Sequence, residues 1–224
     1  MTDAILFDLN GVIVDDEEQH RTALTQVLER FGLPLRREDY YEHYLGFDDR
    51  LCFAEAFRLA NRTIPSELLR HLVAEKAAAY RLLITERCNP VAGAVEFVRA
   101  AARESRLAIV SGALRSEIAL ILERTGIRDL FETIVAAEDV LRCKPDPAGY
   151  RAALTTLGAR QPLAANRCVA IEDSPAGIAA ARAAGLRCIA LTTSAPAAKL
   201  RDAGAVWTSF AGHAPAELAN LTLR

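Results

Sequence analysis

Ile5-Leu6-Phe7-Asp8-Leu9-Asn10-Gly11 decides the reading of the fold. A short unbroken apolar run stops at a carboxylate, and a polar residue and a glycine follow at once. Continuous apolarity, rather than alternation, suits a strand covered on both faces, as in a parallel sheet. Four more runs behave alike: Leu107-Ala108-Ile109-Val110 before Ser111, Thr133-Ile134-Val135-Ala136, Val169-Ala170-Ile171 before Glu172-Asp173, and Cys188-Ile189-Ala190-Leu191.

Helical patterns lie between them. Residues 91–104 follow Pro90 and carry Val91, Ala94, Val95 and Val98 at helical spacing, while Ile118, Ile121, Leu122 and Thr125 close at Gly126. Another helix opens at Ser174-Pro175, a cap followed by a first-turn proline, and stops at Gly185. The Ala-rich runs at 176–184 and 195–205 read as ordinary helix-forming sequence. Strand alternates with helix, which predicts an α/β protein with a doubly wound, Rossmann-like parallel-sheet core.

One connection is far too long. A βαβ unit takes roughly 30 residues, whereas nearly a hundred separate Asp8 from Leu107. The excess reads as helix, with one stripe of Leu24, Val27, Leu28 and Phe31 and another of Leu68, Leu69, Leu72, Val73, Tyr80 and Leu83. The expectation is an all-helical cap domain over residues 17–87 inserted into a core of residues 1–16 and 88–224. The two crossings, near Asp15-Asp16 and Cys88-Asn89-Pro90, suit a hinge.

The 27 Lys and Arg nearly balance the 29 Asp and Glu of this 224-residue chain, and no dense basic block appears. That argues against nucleic acid and anionic lipid and for a small-molecule partner. Apolar residues make up 51% but are interrupted by charge everywhere, so no membrane span is expected. Met1-Thr2-Asp3 leads straight into the first strand without the features of a secretory signal, which predicts a cytoplasmic protein. The odd, scattered Cys52, Cys88, Cys143, Cys168 and Cys188 lack any CxxC pair, so disulfide and zinc frameworks are not expected, and most read as buried small hydrophobes.

In open parallel sheets the ligand crevice lies beyond the carboxyl ends of strands, so the groups found there should converge. Strand ends deliver Asp8 with Asn10-Gly11, Ser111-Gly112, and Glu172-Asp173, and Lys144-Pro145-Asp146-Pro147 adds a cation in a segment whose prolines limit backbone freedom. Carboxylates that must admit a phosphate dianion need a cation, and hard oxygen ligands favour Mg²⁺. The metal would bridge Asp8, Asp173 and a phosphate oxygen, Lys144 would neutralise charge, and Ser111 would hydrogen-bond phosphate. Asp8 is then placed to attack phosphorus.

Phe7 to Asp15, Ser111, Lys144 to Pro147 and Ile171 to Ala181 together resemble the haloacid dehalogenase-like hydrolase superfamily, most nearly its branch of β-phosphoglucomutases and small phosphatases with a helical cap. The resemblance implies Asp8 as nucleophile and metal ligand, and the backbone carbonyl of Asn10 and the carboxylate of Asp173 as further Mg²⁺ ligands. It gives the phosphate to Ser111, Gly112 and Lys144, and leaves Glu172 either on the metal or orienting its water. The expected substrate is a small phosphorylated metabolite, and the expected assembly a monomer or weak homodimer.

The sequence departs from the family at Asn10, where a second aspartate usually exchanges the proton. An amide keeps the shape but not the proton, and that chemistry is worth about 10²- to 10⁴-fold. Three readings stay open: an asparagine introduced to trap a complex; a natural one relieved by a cap group such as His20, Glu17 or Asp16; or a sensor that binds phosphate without turnover. His20 and Lys76 fall where the mutases put cap side chains near substrate, and Arg50 is a candidate for a substrate's acidic end. Leu45, ahead of Gly46-Phe47-Asp48-Asp49, replaces the lysine of the sugar-phosphate mutases, which favours a phosphatase over phosphoglucomutase-type transfer. A dehalogenase shares the aspartate nucleophile, but needs no metal and so leaves the Glu172-Asp173 pair without a purpose.

Overall fold

The computed structural model describes residues 2–45 and 47–221. Its strands β1 (Ala4–Phe7), β2 (Arg106–Val110), β3 (Thr133–Val135), β4 (Cys168–Glu172), β5 (Arg187–Leu191) and β6 (Ala205–Trp207) form one sheet in the order β3-β2-β1-β4-β5-β6, every neighbouring pair parallel. This is the doubly wound order, with its switch point between β1 and β4.

The apolar run of β1 follows from its central place. Ile5 and Phe7 belong to the core on one face, with Val98 and Ile118, and Ala4 and Leu6 to the core on the other, with Tyr150 and Ile178. All four residues are fully buried. Phe7 meets Phe131 edge-on at 5.9 Å and Phe97 at 6.4 Å, so truncating it to alanine should cost about 3–5 kcal/mol.

Between β1 and β2 the chain runs through α1 (Glu17–Glu29), a short α2 (Arg37–Asp39) that continues into a π-helical turn at Tyr40–Tyr44, α3 (Asp49–Leu59) and α4 (Ser66–Glu86). These helices pack around their own apolar cluster, including Leu24, Leu28, Phe53, Phe57 and Leu72. In α4 the most buried row is Leu72, Lys76, Tyr80 and Ile84, one turn apart; Leu68, Leu69, Val73 and Leu83 are only partly buried. The predicted stripe is therefore rotated toward a face that carries a lysine. The two crossings run side by side: Asp15 N donates to Asn89 O at 2.8 Å, Val91 N to Ile13 O at 3.0 Å, and Val14 and Pro90 form an antiparallel bridge.

The rest of the core adds α5 (Ala94–Ala101), α6 (Arg115–Thr125), α7 (Ala148–Leu157) and α8 (Pro175–Ala183). Ser174 caps α8 by accepting from Gly177 N at 3.1 Å, as its sequence predicts. The second Ala-rich run differs from its reading. Residues 195–205 form a single 3₁₀ turn at Ala197–Lys199, and the chain then enters β6, an edge strand that its short Ala205-Val206-Trp207 signal does not announce. Ala195, Leu200 and Ala203 are buried against the sheet there, so packing overrides alanine's helix propensity. Cys52, Cys168 and Cys188 are buried free thiols, and Cys88 and Cys143 are partly exposed. Among the described residues, no helix is long and apolar enough to cross a membrane.

Candidate active site

At the switch point Asp8 extends β1 by donating its N–H to Ile171 O at 2.9 Å, and Glu172 and Asp173 end β4 beside it. Strands diverging on either side leave a crevice there. Lys144 Nζ bridges the acids, 2.8 Å from Asp8 Oδ1 and 2.6 Å from Glu172 Oε1. The Tyr150 hydroxyl donates to the same Glu172 oxygen, and its ring lies 5.5 Å from the ammonium. Ser111 follows β2, its Oγ accepting from Ala113 N at 3.1 Å and lying 3.5 Å from Asn10 Oδ1.

Two glycines permit this approach. Gly11 has φ +68°, and a Cβ there would overlap the Asp173 carboxylate; a Cβ at Gly177 would overlap that of Glu172. Behind the site the Ser194 hydroxyl donates to Asp173 and that of Thr193 to Gly11 O. Both residues follow β5, so a fourth strand end supports the acids.

Oxygens of Asp8, Glu172 and Asp173 lie within 4.8 Å of one another. Burial opposes the Lys144 ammonium, yet the charges of Asp8 and Glu172 outweigh it and raise its pKa. Burial also raises Glu172, against the pull of Lys144. Burial, then the charges of Asp8 and Glu172, push Asp173 well above the usual aspartate value. Glu172 Oε2 is buried without a hydrogen-bond partner. Three crowded carboxylates served by one lysine, with hard oxygen donors, fit a divalent cation of the Mg²⁺ kind.

The opposite wall is helical. Asn10 Nδ2 donates to Asp16 Oδ2 at 2.8 Å and lies 2.9 Å from His20 Nε2; the Tyr80 hydroxyl also donates to Asp16. Lys76 Nζ is 2.6 Å from His20 Nδ1 and 2.8 Å from Asp49 Oδ1. Burial and Lys76 oppose the His20 imidazolium, but the hydrogen bond and charge of Asp16 raise its pKa overall.

Of the residues singled out in the sequence, Asp8, Asn10, His20, Lys76, Ser111, Gly112, Lys144 and Asp173 line one cavity. Glu172 stands just behind, held by Lys144. His20 and Lys76 are not solvated helix residues: Lys76 is 1% exposed. Arg50 is brought elsewhere, onto the outer surface, where its Nη2 donates to Ala137 O at 3.2 Å. Its place at the start of α3 turns it away from the cavity, which instead meets Asp48 and Asp49. Leu45 lines the cavity, and Gly46 lies outside the described residues. Tyr150, Ser194 and Glu117 were not legible as site residues.

The model of the haloacid dehalogenase-like hydrolases matches residues 2–185. The chain belongs to this hydrolase family. Among its relatives, the validoxylamine A 7′-phosphate phosphatase of Streptomyces hygroscopicus subsp. limoneus is 29% identical over 88% of this chain and 89% of its own length. Protein CbbY of Rhodobacter capsulatus is 32% identical over 85% of each, and the fructose-1-phosphate phosphatase YqaB of Escherichia coli is 30% identical over 81% and 92%. The crystal structure of an aspartate-to-asparagine variant of CbbY from Rhodobacter sphaeroides with xylulose 1,5-bisphosphate matches at a TM-score of 0.87 and 28% identity, over 97% of this chain and 99% of that one. As a haloacid dehalogenase-like hydrolase, the chain is an enzyme by family, and its acid-lysine cluster occupies the sheet's ligand crevice.

Proposed function

We propose that this protein is a Mg²⁺-dependent phosphatase of small phosphorylated metabolites that works through an aspartyl phosphate on Asp8. One observation carries the reading: a lysine 2.8 Å from a strand-end aspartate, with two more carboxylates in reach and Ser111-Gly112 on the same cavity. The phosphatases of fructose 1-phosphate and of validoxylamine A 7′-phosphate among its relatives support a phosphoric monoester as substrate. The same proposal puts the enzyme in the cytoplasm, as a monomer or weak homodimer.

An oxygen of Asp8 attacks phosphorus, the bond from phosphorus to the ester oxygen breaks, and the departing alkoxide takes up one proton. Water then attacks the phosphorus of the acyl phosphate, gives up one proton, and frees inorganic phosphate and the Asp8 carboxylate. Asp8, Asp173 and the backbone carbonyl of Asn10 would hold Mg²⁺, which supplies Lewis-acid charge neutralisation when bound. Lys144 offsets phosphate charge from the sheet side, and Ser111 and the Gly112 backbone orient its oxygens. The cavity between sheet and helices is part-enclosed, with about 70 Å³ of its space open to water. In this reading the helical cap over residues 17–87 swings on its two crossings to admit substrate.

Asn10 holds its place in the hydrogen-bond network but exchanges no proton. Its neighbours Asp16 and His20 are the proton carriers at hand. The deciding experiment compares this chain with Asn10→Asp on a panel of phosphate esters, with trapping of isotope-labelled phosphate. Label on Asp8 and a rate gain of about a hundredfold or more for the aspartate form are expected if the proton carrier limits turnover. Equal rates point to Asp16 or His20 as the carrier. A second reading, a phosphate sensor, is favoured by Asn10 alone; calorimetric binding of phosphate esters without label or product in either form selects it, and sinks the phosphatase.

A further inference from the structure

The cavity's two halves differ in what they offer a ligand. Around the sheet side, Lys144 and the expected cation answer the phosphate. On the other side, where the alcohol of the ester must lie, Glu17, Asp48, Asp49 and Glu117 line the cavity. Among the described lining residues, Lys76 and Lys144 are the only lysine or arginine side chains. Lys76 is already held by Asp49 at 2.8 Å and His20 at 2.6 Å, and Arg50 is committed to Ala137 O outside. Among the described lining residues, no lysine or arginine is left unpaired to receive a second phosphate or a carboxylate.

Glu117 gives this wall a specific receptor. It is 2% exposed, lies in the first turn of α6, and accepts from Leu114 N through Oε2 at 3.1 Å, while Oε1 is buried with no partner. A buried carboxylate oxygen without a donor is costly, so a ligand that brings a donor there is favoured. Asp48, which also lines the cavity, has one oxygen spent on the cap of α3, accepting from Leu51 N at 2.8 Å, and its carboxylate also meets the Cys143 thiol. An ammonium satisfies such a wall, a hydroxyl does so less well, and an anion is repelled.

We propose that the leaving-group half of the cavity binds an ammonium, so that the preferred substrate is a phosphomonoester whose alcohol carries an amine, with Glu117 as the amine's partner. This rests on the phosphatase reading for its chemistry, though not for its binding preference. It also separates the chain from enzymes that hold sugar bisphosphates, for which this wall has the wrong sign.

The test uses the full chain with Mg²⁺ and matched probes: glucosamine 6-phosphate against glucose 6-phosphate, phosphoethanolamine against 2-hydroxyethyl phosphate, and fructose 1,6-bisphosphate against fructose 1-phosphate. Calorimetry gives affinity and phosphate release gives kcat/KM. The amine member of at least one pair should bind about tenfold tighter or more, the scale of one hydrogen bond to a charged group, and the bisphosphate should bind no better than its monophosphate. Glu117→Gln, which keeps a carbonyl for Leu114 N, should erase the amine's advantage. Asp49→Asn should free Lys76 and improve the bisphosphate relative to the monophosphate, a gain that needs no change at Glu117. Equal binding within both amine pairs, or a bisphosphate that binds tightest in the unaltered chain, overturns the inference. Ester hydrolysis without amine preference defeats this inference and leaves the phosphatase standing; amine preference in binding without hydrolysis does the reverse.

Discussion

Lys144 and Lys76 face each other across the cavity in matching geometry: one is 2.8 Å from Asp8 and 2.6 Å from Glu172, the other 2.8 Å from Asp49 and 2.6 Å from His20. Their surroundings differ. Lys144 serves two carboxylates, one of them fully buried, and the third, Asp173, lies within reach of the same oxygens. Lys76 is bonded to one carboxylate, 19% exposed, and a histidine ring, with the charge of Glu117 also acting on it. The sheet side is thus short of positive charge, which a divalent cation would supply, whereas the helical side already pairs its lysine and keeps further acids. The same side-chain type is part of a receptor in one wall and part of a closed pair in the other.

Removing the two lysines should break this parallel most sharply. Lys144→Ala leaves Asp8 and Glu172 buried without a counter-charge, which costs about 3–5 kcal/mol, or roughly 6–20 °C in Tm for a chain of this size. Lys76→Ala should cost less, because Asp49 can turn to water. Thermal denaturation of both variants decides, and a larger loss at Lys76 would refute the contrast.

The second effect is on pH. Asp173 in the folded chain has a pKa well above the usual aspartate value of 3.8, through burial and then the charges of Asp8 and Glu172. Between the ordinary value and the raised one, the folded chain holds a proton that the unfolded chain has lost, so metal-free stability falls as pH rises through that window. A cation replaces the proton, so the Tm gain on adding Mg²⁺ should grow with pH over the same range. Melting curves across pH with and without Mg²⁺ test the sign; a gain that shrinks with rising pH is the contrary result.

The smallest effect sharpens the comparison at one atom. Tyr150→Phe removes the hydroxyl from Glu172 Oε1 but leaves Lys144 on it, so the loss should sit near the low end of about 1.5–3 kcal/mol for hydrogen bonds to charged groups. Denaturant titration reads it, and a cost equal to that of Lys144→Ala would mean that the hydroxyl, not the lysine, holds Glu172.

The sheet side was the more legible wall because its groups sit at ends of apolar runs: Asp8, Ser111 and Asp173 each follow a strand that burial on both faces makes conspicuous. Leu191 ends an equally clear run, and Thr192-Thr193-Ser194 follows it, yet Ser194's bond to Asp173 was not anticipated. Tyr150 and Glu117 gave no such signal, since each sits on a helix where tyrosine and glutamate are ordinary. Lys76 stood out through the family resemblance alone, and the packing of Leu72, Tyr80 and Ile84 along the same row of α4 is what turns that face inward. Arg50 looked equally suitable as a ligand for substrate, but its position at the start of α3 sends it outward. β6 was hidden by its three-residue length and by an Ala-rich approach that reads as helix.

The paired crossings carry a consequence for timing. Because the Asp15–Asn89 and Ile13–Val91 hydrogen bonds stitch both chain passages together, the helices are hung from a single seam rather than from two independent tethers. In the proposed swing Asp16, the next residue beyond that seam, would move little, while α3 and the middle of α4 would travel with the outer arm. Asp16 would then stay with Asn10 through the proposed swing, leaving Asp49 and Lys76 to arrive together, already paired, as the arm comes down.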